Sequence, residues 1–246
     1  MRQGRGPGRG GSAGDGRDGC EEEVRPGVRW RAVRAEDAAA LSRICRLTGD
    51  AGRDASDLTA FPDLLGDVYA APYAHHEAAF GTLVLDEEGP AGYVLGCLDT
   101  ARFERWRADR WWPPLRERYP RTGDRPLDAG LLRSVHEPVV PSPVWTAFPS
   151  HLHVDLLPRL QGRGVGRALI ERLCGQLAAA GSPGVHLGVS AANPGAVAFY
   201  RRTGFTELEA TATGHTFGRV LSPAGPAAAP GEGSGSGAGG GSGEAP

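Results

Sequence analysis

The sequence of 246 residues contains no lysine, so arginine supplies all 27 of its Lys and Arg side chains. The absence of lysine excludes regulation by modification of the protein's own lysine side chains. It also excludes a nucleotide-binding P-loop, in which Lys follows the second glycine of the motif. A lysine-free chain rich in arginine and alanine is typical of a GC-rich bacterial genome, so we expect a bacterial source.

Cysteine and long hydrophobic runs are also scarce. No apolar segment is long enough to span a membrane or to act as a secretion signal, which predicts a cytoplasmic protein without a membrane partner. A net charge of −2 gives no reason to expect nucleic acid as a partner. The cysteines lack CxxC or metal-ligand spacing, so we expect free thiols in a reducing compartment. They are Cys20, Cys45, Cys97 and Cys174.

Apolar residues are nearly absent from both ends of the chain. Residues 1–23 are rich in Gly, Arg and acidic residues, and residues 222–246 in Gly, Ser, Ala and Pro. Such segments cannot bury enough apolar surface to offset their conformational entropy, so we predict two disordered tails. The remaining residues 24–221 are enough for one domain with its own core.

The first half of this domain alternates between strand and helix patterns. Residues 28–33 alternate in polarity and predict a strand. An amphipathic helix follows and ends at Gly49, and a weaker helix pattern covers residues 61–69. Residues 79–85 and 91–98 predict two strands joined as a hairpin.

Residues 100–149 form a long insert before the central strand. An amphipathic helical pattern opens the insert, and Pro113-Pro114 interrupts it. Residues 120–149 are predicted to form a loop. Connections of this length are usually functional or disordered, and the aromatic content of this one favours order. The insert therefore either pads the core or forms a lid or substrate wall. Its apolar stripe is Phe103, Trp106, Trp111, Trp112 and Leu115.

Residues 152–173 predict a strand, a short glycine loop and a helix. The loop runs from Gln161 to Gly166, and its unpaired N–H groups at a helix start favour an anionic ligand, with Arg163 and Arg167 adding positive charge. The glycines fall as G-x-G-x-G and not as the G-x-G-x-x-G of dinucleotide-binding folds. This spacing predicts a different phosphate-bearing ligand, with a plain strand–helix turn as the alternative.

The strand before the glycine loop carries alternating polar residues. His151, His153 and Asp155 share one face because side chains on a strand alternate between faces. His-x-His-x-Asp is a metal-ligand spacing of metallo-β-lactamase-type hydrolases, which add a His where Leu156 stands here. The alternatives are a cluster that acts as general base or orients a substrate, and a structural, hydrogen-bonded pair.

A second motif follows an apolar strand predicted over residues 185–189. Local rules predict a helix with Asn193 as N-cap, Pro194 in its first turn and Gly204 as its stop. These rules account for the Asn, the Pro and the Gly. They do not account for the other residues that recur with them at fixed spacing.

Together the two motifs resemble one known family. The first is Pro158-x-x-Gln161-Gly162-x-Gly164-x-Gly166, which resembles the acetyl-CoA pyrophosphate loop of the GNAT N-acetyltransferase superfamily. The second is similar to the segment that follows the second cofactor strand in that superfamily. It reads Asn193-x-x-Ala196-x-x-x-Tyr200-x-x-x-Gly204-Phe205. The resemblance is close over residues 150–210 and loose from residue 28 onward.

The insert adds a narrower resemblance. Trp111-Trp112-Pro113-Pro114, placed before His-Leu-His-Val-Asp, is similar to a bacterial subgroup that resembles the acetyltransferase-like domain of O-GlcNAcase. The family resemblance implies a mixed α/β fold with flanking helices. Its central sheet would hold about seven mostly antiparallel strands, splayed between the fourth strand, at Leu156, and the fifth, at Val189.

The resemblance also implies acetyl-CoA as co-substrate, without a metal. Pantetheine would pair with the backbone of Leu156 and Leu157, and Asn193 would hold it. A backbone N–H near Leu156 would polarise the thioester, as in an oxyanion hole. The pyrophosphate would take the N–H groups of the loop. The loop residues concerned are Gln161, Gly162, Arg163, Gly164, Val165, Gly166 and Arg167.

Tyr200 would protonate the leaving thiolate, because a phenol suits a proton donor better than a base. Core packing is the alternative role for Tyr200. Asp155 and His153 are the candidate bases for the acceptor amine, with Glu77 and Asp99 after them. The predicted function is direct transfer of the acetyl group to a primary amine of a small molecule or peptide, by a monomer or homodimer.

Two alternatives remain open. The first is an acetyl-CoA-binding pseudoenzyme or regulatory module, which would keep the cofactor loop without turnover. The second is a metal-dependent hydrolase that uses His151, His153 and Asp155 as ligands.

Overall fold

The computed structural model describes residues 21–76 and 79–222. Within these ranges, the strands form one sheet in the order β1-β2-β3-β4-β5-β6-β8-β7. The strands are β1 (Glu22–Arg25), β2 (Val28–Ala32), β3 (Ala79–Asp86), β4 (Gly89–Cys97), β5 (Ser150–Leu156), β6 (Gly184–Ser190), β7 (Thr206–Ala210) and β8 (Gly214–Val220).

Helices cover both faces of the sheet. On one face, α1 and α3 pack against the central strands, and α8 packs on the other face. The helices are α1 (Ala38–Thr48), α2 (Leu64–Tyr69), α3 (Ala71–His75), α4 (Thr100–Trp106), α5 (Trp112–Arg118), α6 (Asp128–His136), α7 (Val144–Ala147), α8 (Val165–Ala179) and α9 (Pro194–Arg202). None of the helices in the described ranges is both long and apolar enough to cross a membrane.

The pairing of β5 with β6 determines the shape of the molecule. It is parallel, whereas all the other neighbouring strands pair antiparallel, and it covers only Ser150↔Val185 and His151↔His186. On its other side, β5 stays paired with β4 as far as Leu156. The two parallel strands therefore diverge after His151. The predicted mixed sheet, splayed between the strands at Leu156 and Val189, is confirmed.

The sheet has one strand more than predicted in the described part of the chain. Strands β1, β7 and β8 were not located from the sequence, and β1 begins at Glu22, inside the segment assigned to the N-terminal tail. Its partner is β2, and the Trp30 indole donates a hydrogen bond of 2.8 Å to Glu22. The prediction of disorder as far as residue 23 is therefore wrong for residues 22 and 23. Residues 1–20 of that tail, and residues 223–246 of the other, lie outside the described residues.

The insert contains more helix than predicted. Pro113 and Pro114 stand in the first turn of α5, where proline needs no N–H partner, and a wider π-helical turn over Arg107–Trp111 connects α4 to α5. Residues 120–149 are not a loop throughout, since α6 and α7 lie within them. The Trp112 side chain is only 1% exposed, so the insert pads the core.

Candidate active site

The divergence of β5 from β6 opens a cavity of about 1230 Å³. Residues of β5, the glycine loop and the start of α9 line it. Residues of α2, β6, the β7–β8 hairpin and the end of α1 line it as well. No residue of the 100–149 insert lines this cavity among the described residues, so the structure does not support its role as a substrate wall.

Glycine is needed in the loop for conformational reasons. Gly162 and Gly164 have φ of 70° and 79°, in the left-handed region that side chains disfavour. This conformation turns the chain into α8 and leaves the N–H groups of residues 162–167 without acceptors among the described residues. Successive free N–H groups at a helix start form a site for an anion such as a pyrophosphate.

Side chains around the loop hold it in place. Gln161 Nε2 donates to the Leu156 carbonyl at 2.9 Å, and Arg167 Nη2 donates to the Arg202 carbonyl at 2.7 Å. Both residues line the cavity. The Arg163 side chain is exposed and does not line it, and the Val165 side chain is 1% exposed in the core. The arrangement assigns anion binding mainly to backbone groups.

Some backbone groups of β5 are left unpaired in the split between β5 and β6. The Leu157 N–H donates to the Ala91 carbonyl at 2.9 Å, and its side chain is buried away from the cavity. Backbone groups of an antiparallel pair alternate in direction, so the N–H groups of Val154 and Leu156 point away from β4, into the split. The predicted pairing of a cofactor with Leu157 therefore lacks a free N–H group at that residue, whereas Val154 and Leu156 each present one to the split.

Asn193 and Tyr200 both face the cavity from α9. Asn193 Oδ1 accepts the Ala196 N–H at 3.0 Å, which caps the helix as predicted and leaves the side-chain N–H groups available. The Tyr200 hydroxyl has no hydrogen-bond partner in the described part of the chain. Its ring packs against Phe199, Phe205 and Phe217, so this tyrosine is both a core residue and a cavity residue.

Asp155 also lines the cavity and accepts a short hydrogen bond of 2.5 Å from the Tyr93 hydroxyl. Burial raises the pKa of Asp155, and the hydrogen bond from Tyr93 opposes that rise. Burial raises the pKa of Tyr200, and the charge of Asp155 adds to this shift. The two side chains are therefore close enough to interact electrostatically, although no hydrogen bond joins them.

His153 also lines the cavity, where its ring packs against Tyr69 and Tyr73 at centroid distances of 5.8 and 5.5 Å. Burial, with a contribution from the positive charge of Arg107, lowers the pKa of His153 to about 4. The ring is therefore neutral near pH 7. Within the described ranges its nitrogens have no hydrogen-bond partner, which leaves one nitrogen free to accept a hydrogen bond from a ligand.

His151 has a different role from its neighbours on the strand. It is buried outside the cavity, with Nδ1 2.8 Å from the Thr100 hydroxyl and 3.2 Å from Cys97 Sγ, and Nε2 bonded to the Tyr73 hydroxyl. These partners identify it as a structural residue. Among the described residues, no group of three or more His, Cys, Asp or Glu side chains is placed to hold a metal.

Of the two further candidates for the base, only Asp99 lies within the described residues, and it is not part of the site. Asp99 Oδ1 accepts the Arg102 N–H at 2.9 Å and so caps α4, and it does not line the cavity. Glu77 lies outside the described residues. Of the cysteines, Cys45, Cys97 and Cys174 are free and buried, whereas Cys20 lies outside those residues.

The sequence did not predict a second group of residues that line the cavity. Tyr69 stands at its mouth with 41% exposure, and Ala51 has a left-handed φ of 52° that is uncommon for a residue with a side chain. No local motif marks these positions, because distant segments bring them together. The residues concerned are Cys45, Thr48, Gly49, Ala51, Gly52, Leu65, Tyr69, Thr211, Thr213, Gly214, His215 and Thr216.

Known proteins resemble this chain in sequence and in fold. The sequence profile of the acetyltransferase (GNAT) family matches residues 142–205, which contain β5, the glycine loop and α9. The chain in the crystal structure of SsHAT is 38% identical to this one in sequence, and the two structures match with a TM-score of 0.72. The match covers 80% of this chain and 100% of that one. The GNAT domain of S. lividans PAT shares the fold at 16% identity and a TM-score of 0.51, covering 82% and 96% of the two chains.

A curated relative is Protein O-GlcNAcase of Rattus norvegicus, 28% identical over 178 residues. The match covers 70% of this chain but only 19% of that protein, so the chain spans about a fifth of the length of the curated relatives it matches. The splayed sheet and glycine loop define an acetyltransferase fold. The chain belongs to the acetyltransferase (GNAT) family, whose members use acetyl-CoA, and the predicted family is confirmed.

Proposed function

We propose that this protein transfers the acetyl group of acetyl-CoA directly to a primary amine in a ternary complex. The observation that carries the proposal is that Tyr200 and Asp155 line the same cavity, which opens where β5 and β6 diverge. A proton donor and a proton acceptor in one cavity suit a reaction in which one proton leaves an amine and another reaches a thiolate.

The free backbone groups of the cavity fit the co-substrate. The unpaired N–H groups of residues 162–167 would hold the pyrophosphate. Val154 and Leu156 would pair with the amides of pantetheine, as an added strand pairs with an exposed sheet edge. The Asn193 side-chain N–H groups would donate to the same arm. Acetyl-CoA supplies the activated acetyl group, and every other role falls to the protein and the amine.

The transfer step needs three groups on the protein, which are a donor to the carbonyl oxygen, a proton donor to the thiolate and a base for the amine. The amine nitrogen forms a bond to the thioester carbonyl carbon while the carbon–sulfur bond breaks. The Leu156 N–H would stabilise negative charge on the carbonyl oxygen, as an oxyanion hole does. The Tyr200 hydroxyl would give its proton to the departing thiolate. Its raised pKa keeps the hydroxyl protonated at neutral pH, which a donor requires.

Asp155 is the proposed base and His153 the residue that orients the amine. Burial raises the pKa of the Asp155 carboxyl, which brings it closer to that of the ammonium group it would deprotonate. The neutral His153 ring can accept a hydrogen bond from the amine without repelling its positive charge. Tyr69 at the mouth of the cavity would contact the rest of the acceptor, an amine of a small molecule or peptide.

The test is an acetylation screen over classes of primary amines, followed by detection of the free CoA thiol. We expect acetyl-CoA to raise the melting temperature, because a ligand that binds only the native state stabilises it. At least one amine class should then release thiol in proportion to acetylated product. Binding without turnover for every class would favour an acetyl-CoA-binding regulatory module, and the absence of binding would overturn both functions.

A further inference from the structure

Strand β1 lies beside α8, the helix that begins at the glycine loop. Glu22, at the start of the strand, accepts from the Trp30 indole at 2.8 Å and lies 3.5 Å from Arg172 of α8. The Arg172 guanidinium also stacks over the Trp30 ring, with its carbon 5.0 Å from the ring centroid. These contacts fix one end of β1 against the middle of α8.

The other end of β1 reaches the glycine loop. Arg25 Nη2 lies 3.5 Å from the point at which a Cβ atom on Gly164 would stand. Arg25 Nη1 donates to the Val24 carbonyl at 3.2 Å, and no carboxylate pairs with this guanidinium among the described residues. By contrast, Arg29 on the neighbouring strand is paired with Glu21 at 2.5 Å. The Arg25 side chain is exposed and is not among the residues that line the cavity, but its guanidinium stands beside Gly164, which does line it, and has no carboxylate partner among the described residues.

We propose that Arg25 is a further cofactor-binding residue, which donates hydrogen bonds to the pyrophosphate of acetyl-CoA on the glycine loop. This inference rests on the proposed function. A guanidinium presents several donors in one plane and suits phosphate oxygens better than a point charge does. The N-terminal strand would then form part of the cofactor site, in addition to the loop and α9, and Gly164 would be the residue that both elements share.

The experiment is calorimetric titration of acetyl-CoA and of its 3′-dephospho analogue into the full chain and its variants. For Arg25→Ala we expect both affinities to fall by about tenfold, since a charge-assisted hydrogen bond from Arg25 to the pyrophosphate contributes about that much. The loss should be equal for the two ligands because both keep the pyrophosphate. Arg25→Lys should restore part of the affinity, since it keeps the charge without the planar fork.

Arg29→Ala is the matched control, because it removes an exposed arginine from the adjacent strand, away from the glycine loop. We expect it to leave both affinities unchanged. The melting temperature of ligand-free Arg25→Ala should equal that of the wild type, since Arg25 has no ion pair in the described structure to lose. A second readout is ionic strength, which should weaken binding more steeply in the wild type than in Arg25→Ala.

Each outcome decides between the two proposals. If Arg25→Ala binds both ligands as tightly as the wild type, Arg25 is not a cofactor residue and the proposed function stands. A loss seen only with the 3′-phosphate present would also overturn the pyrophosphate contact. If the wild type binds neither ligand, the proposed function fails first and the role of Arg25 fails with it.

Discussion

The two sides of the cavity differ in the groups that they would present to the proposed cofactor and the proposed acceptor. On the cofactor side, the free groups are mostly backbone N–H donors at residues 162–167 and on β5. On the acceptor side, the groups are side chains whose pKa values burial has shifted, Asp155 upward and His153 downward. Backbone donors do not titrate, whereas side chains do. The cofactor side should therefore depend on chain conformation, and the acceptor side on pH.

The largest expected effect is for Tyr200, the proposed proton donor to the thiolate. Tyr200→Phe keeps the ring that packs against Phe217 but removes the hydroxyl that faces the cavity. We expect kcat to fall by about 10²–10³-fold, as for loss of a general acid, with the affinity for acetyl-CoA unchanged. Thiol-release kinetics and calorimetry measure the two quantities separately. Turnover close to that of the wild type would mean that another group protonates the thiolate.

A substitution in the loop should affect binding instead of turnover. Gly164→Ala places a side chain at φ 79°, where left-handed backbone costs about 1–2 kcal/mol. We expect the loop to relax and the affinity for acetyl-CoA to fall by about tenfold, since 1.4 kcal/mol corresponds to that factor.

Gly175→Ala serves as the control, because Gly175 is exposed within α8 and a Cβ there meets nothing within 4 Å. It should leave affinity unchanged and stabilise the fold by about 0.5–1 kcal/mol. Equal affinities for the two glycine variants would contradict a binding site made of backbone groups.

The pH dependence of the acceptor side should change when Tyr93 is altered. The hydrogen bond from Tyr93 lowers the pKa of Asp155 against the effect of burial, so Tyr93→Phe should raise that pKa. A base must be deprotonated to act, and activity falls as the pH drops through its pKa. The acidic limb of kcat/KM should therefore move to higher pH, by about half to one unit for a hydrogen bond of about 1 kcal/mol.

Tyr119→Phe is the matched control for this shift. Its hydroxyl donates to Asp67 at 2.6 Å, in a pair of the same kind that does not line the cavity. The pH profile should be the same as that of the wild type. In Asp155→Asn the acidic limb assigned to Asp155 should disappear. A limb that stays in place in both Tyr93→Phe and Asp155→Asn would exclude Asp155 as the base.

The smallest effect is expected for Arg163→Ala. The side chain is exposed and does not line the cavity, although its backbone N–H lies in the loop. Exposed charges contribute about 0.2–1 kcal/mol, so we expect a change in acetyl-CoA affinity of about twofold. Calorimetry beside Gly164→Ala compares the two. A larger loss for Arg163→Ala than for Gly164→Ala would reverse the proposed importance of side chains and backbone.

The parts of the site that local rules describe were predicted from the sequence. The glycine spacing predicts the loop, because left-handed positions need glycine at Gly162 and Gly164. The Asn193 cap and the Gly204 stop follow from the needs of helix ends, and both are as predicted. The motif around Tyr200 identified a cavity residue, since its spacing places it on the same helix as the cap.

The errors fall where a distant contact decides the outcome. Strand β1 was missed because Glu21–Glu23 suggest a charged tail, while its stability depends on Trp30 and Arg172. The alternation of His151, His153 and Asp155 suggested one cluster. The ring of His151 does contact that of His153, but its hydrogen bonds to Tyr73 and Thr100 hold it outside the cavity that the other two residues line.

The sequence by itself determined the family, the loop conformation and the ends of α9, because these depend on residues close together in the chain. Only the tertiary structure decided which backbone groups of β5 are free, since the pairing with β4 occupies the Leu157 N–H and leaves that of Leu156. The tertiary structure likewise decided which residues around Tyr69 line the cavity. Side chains from separate segments meet only after the sheet has formed, and no local pattern encodes that meeting.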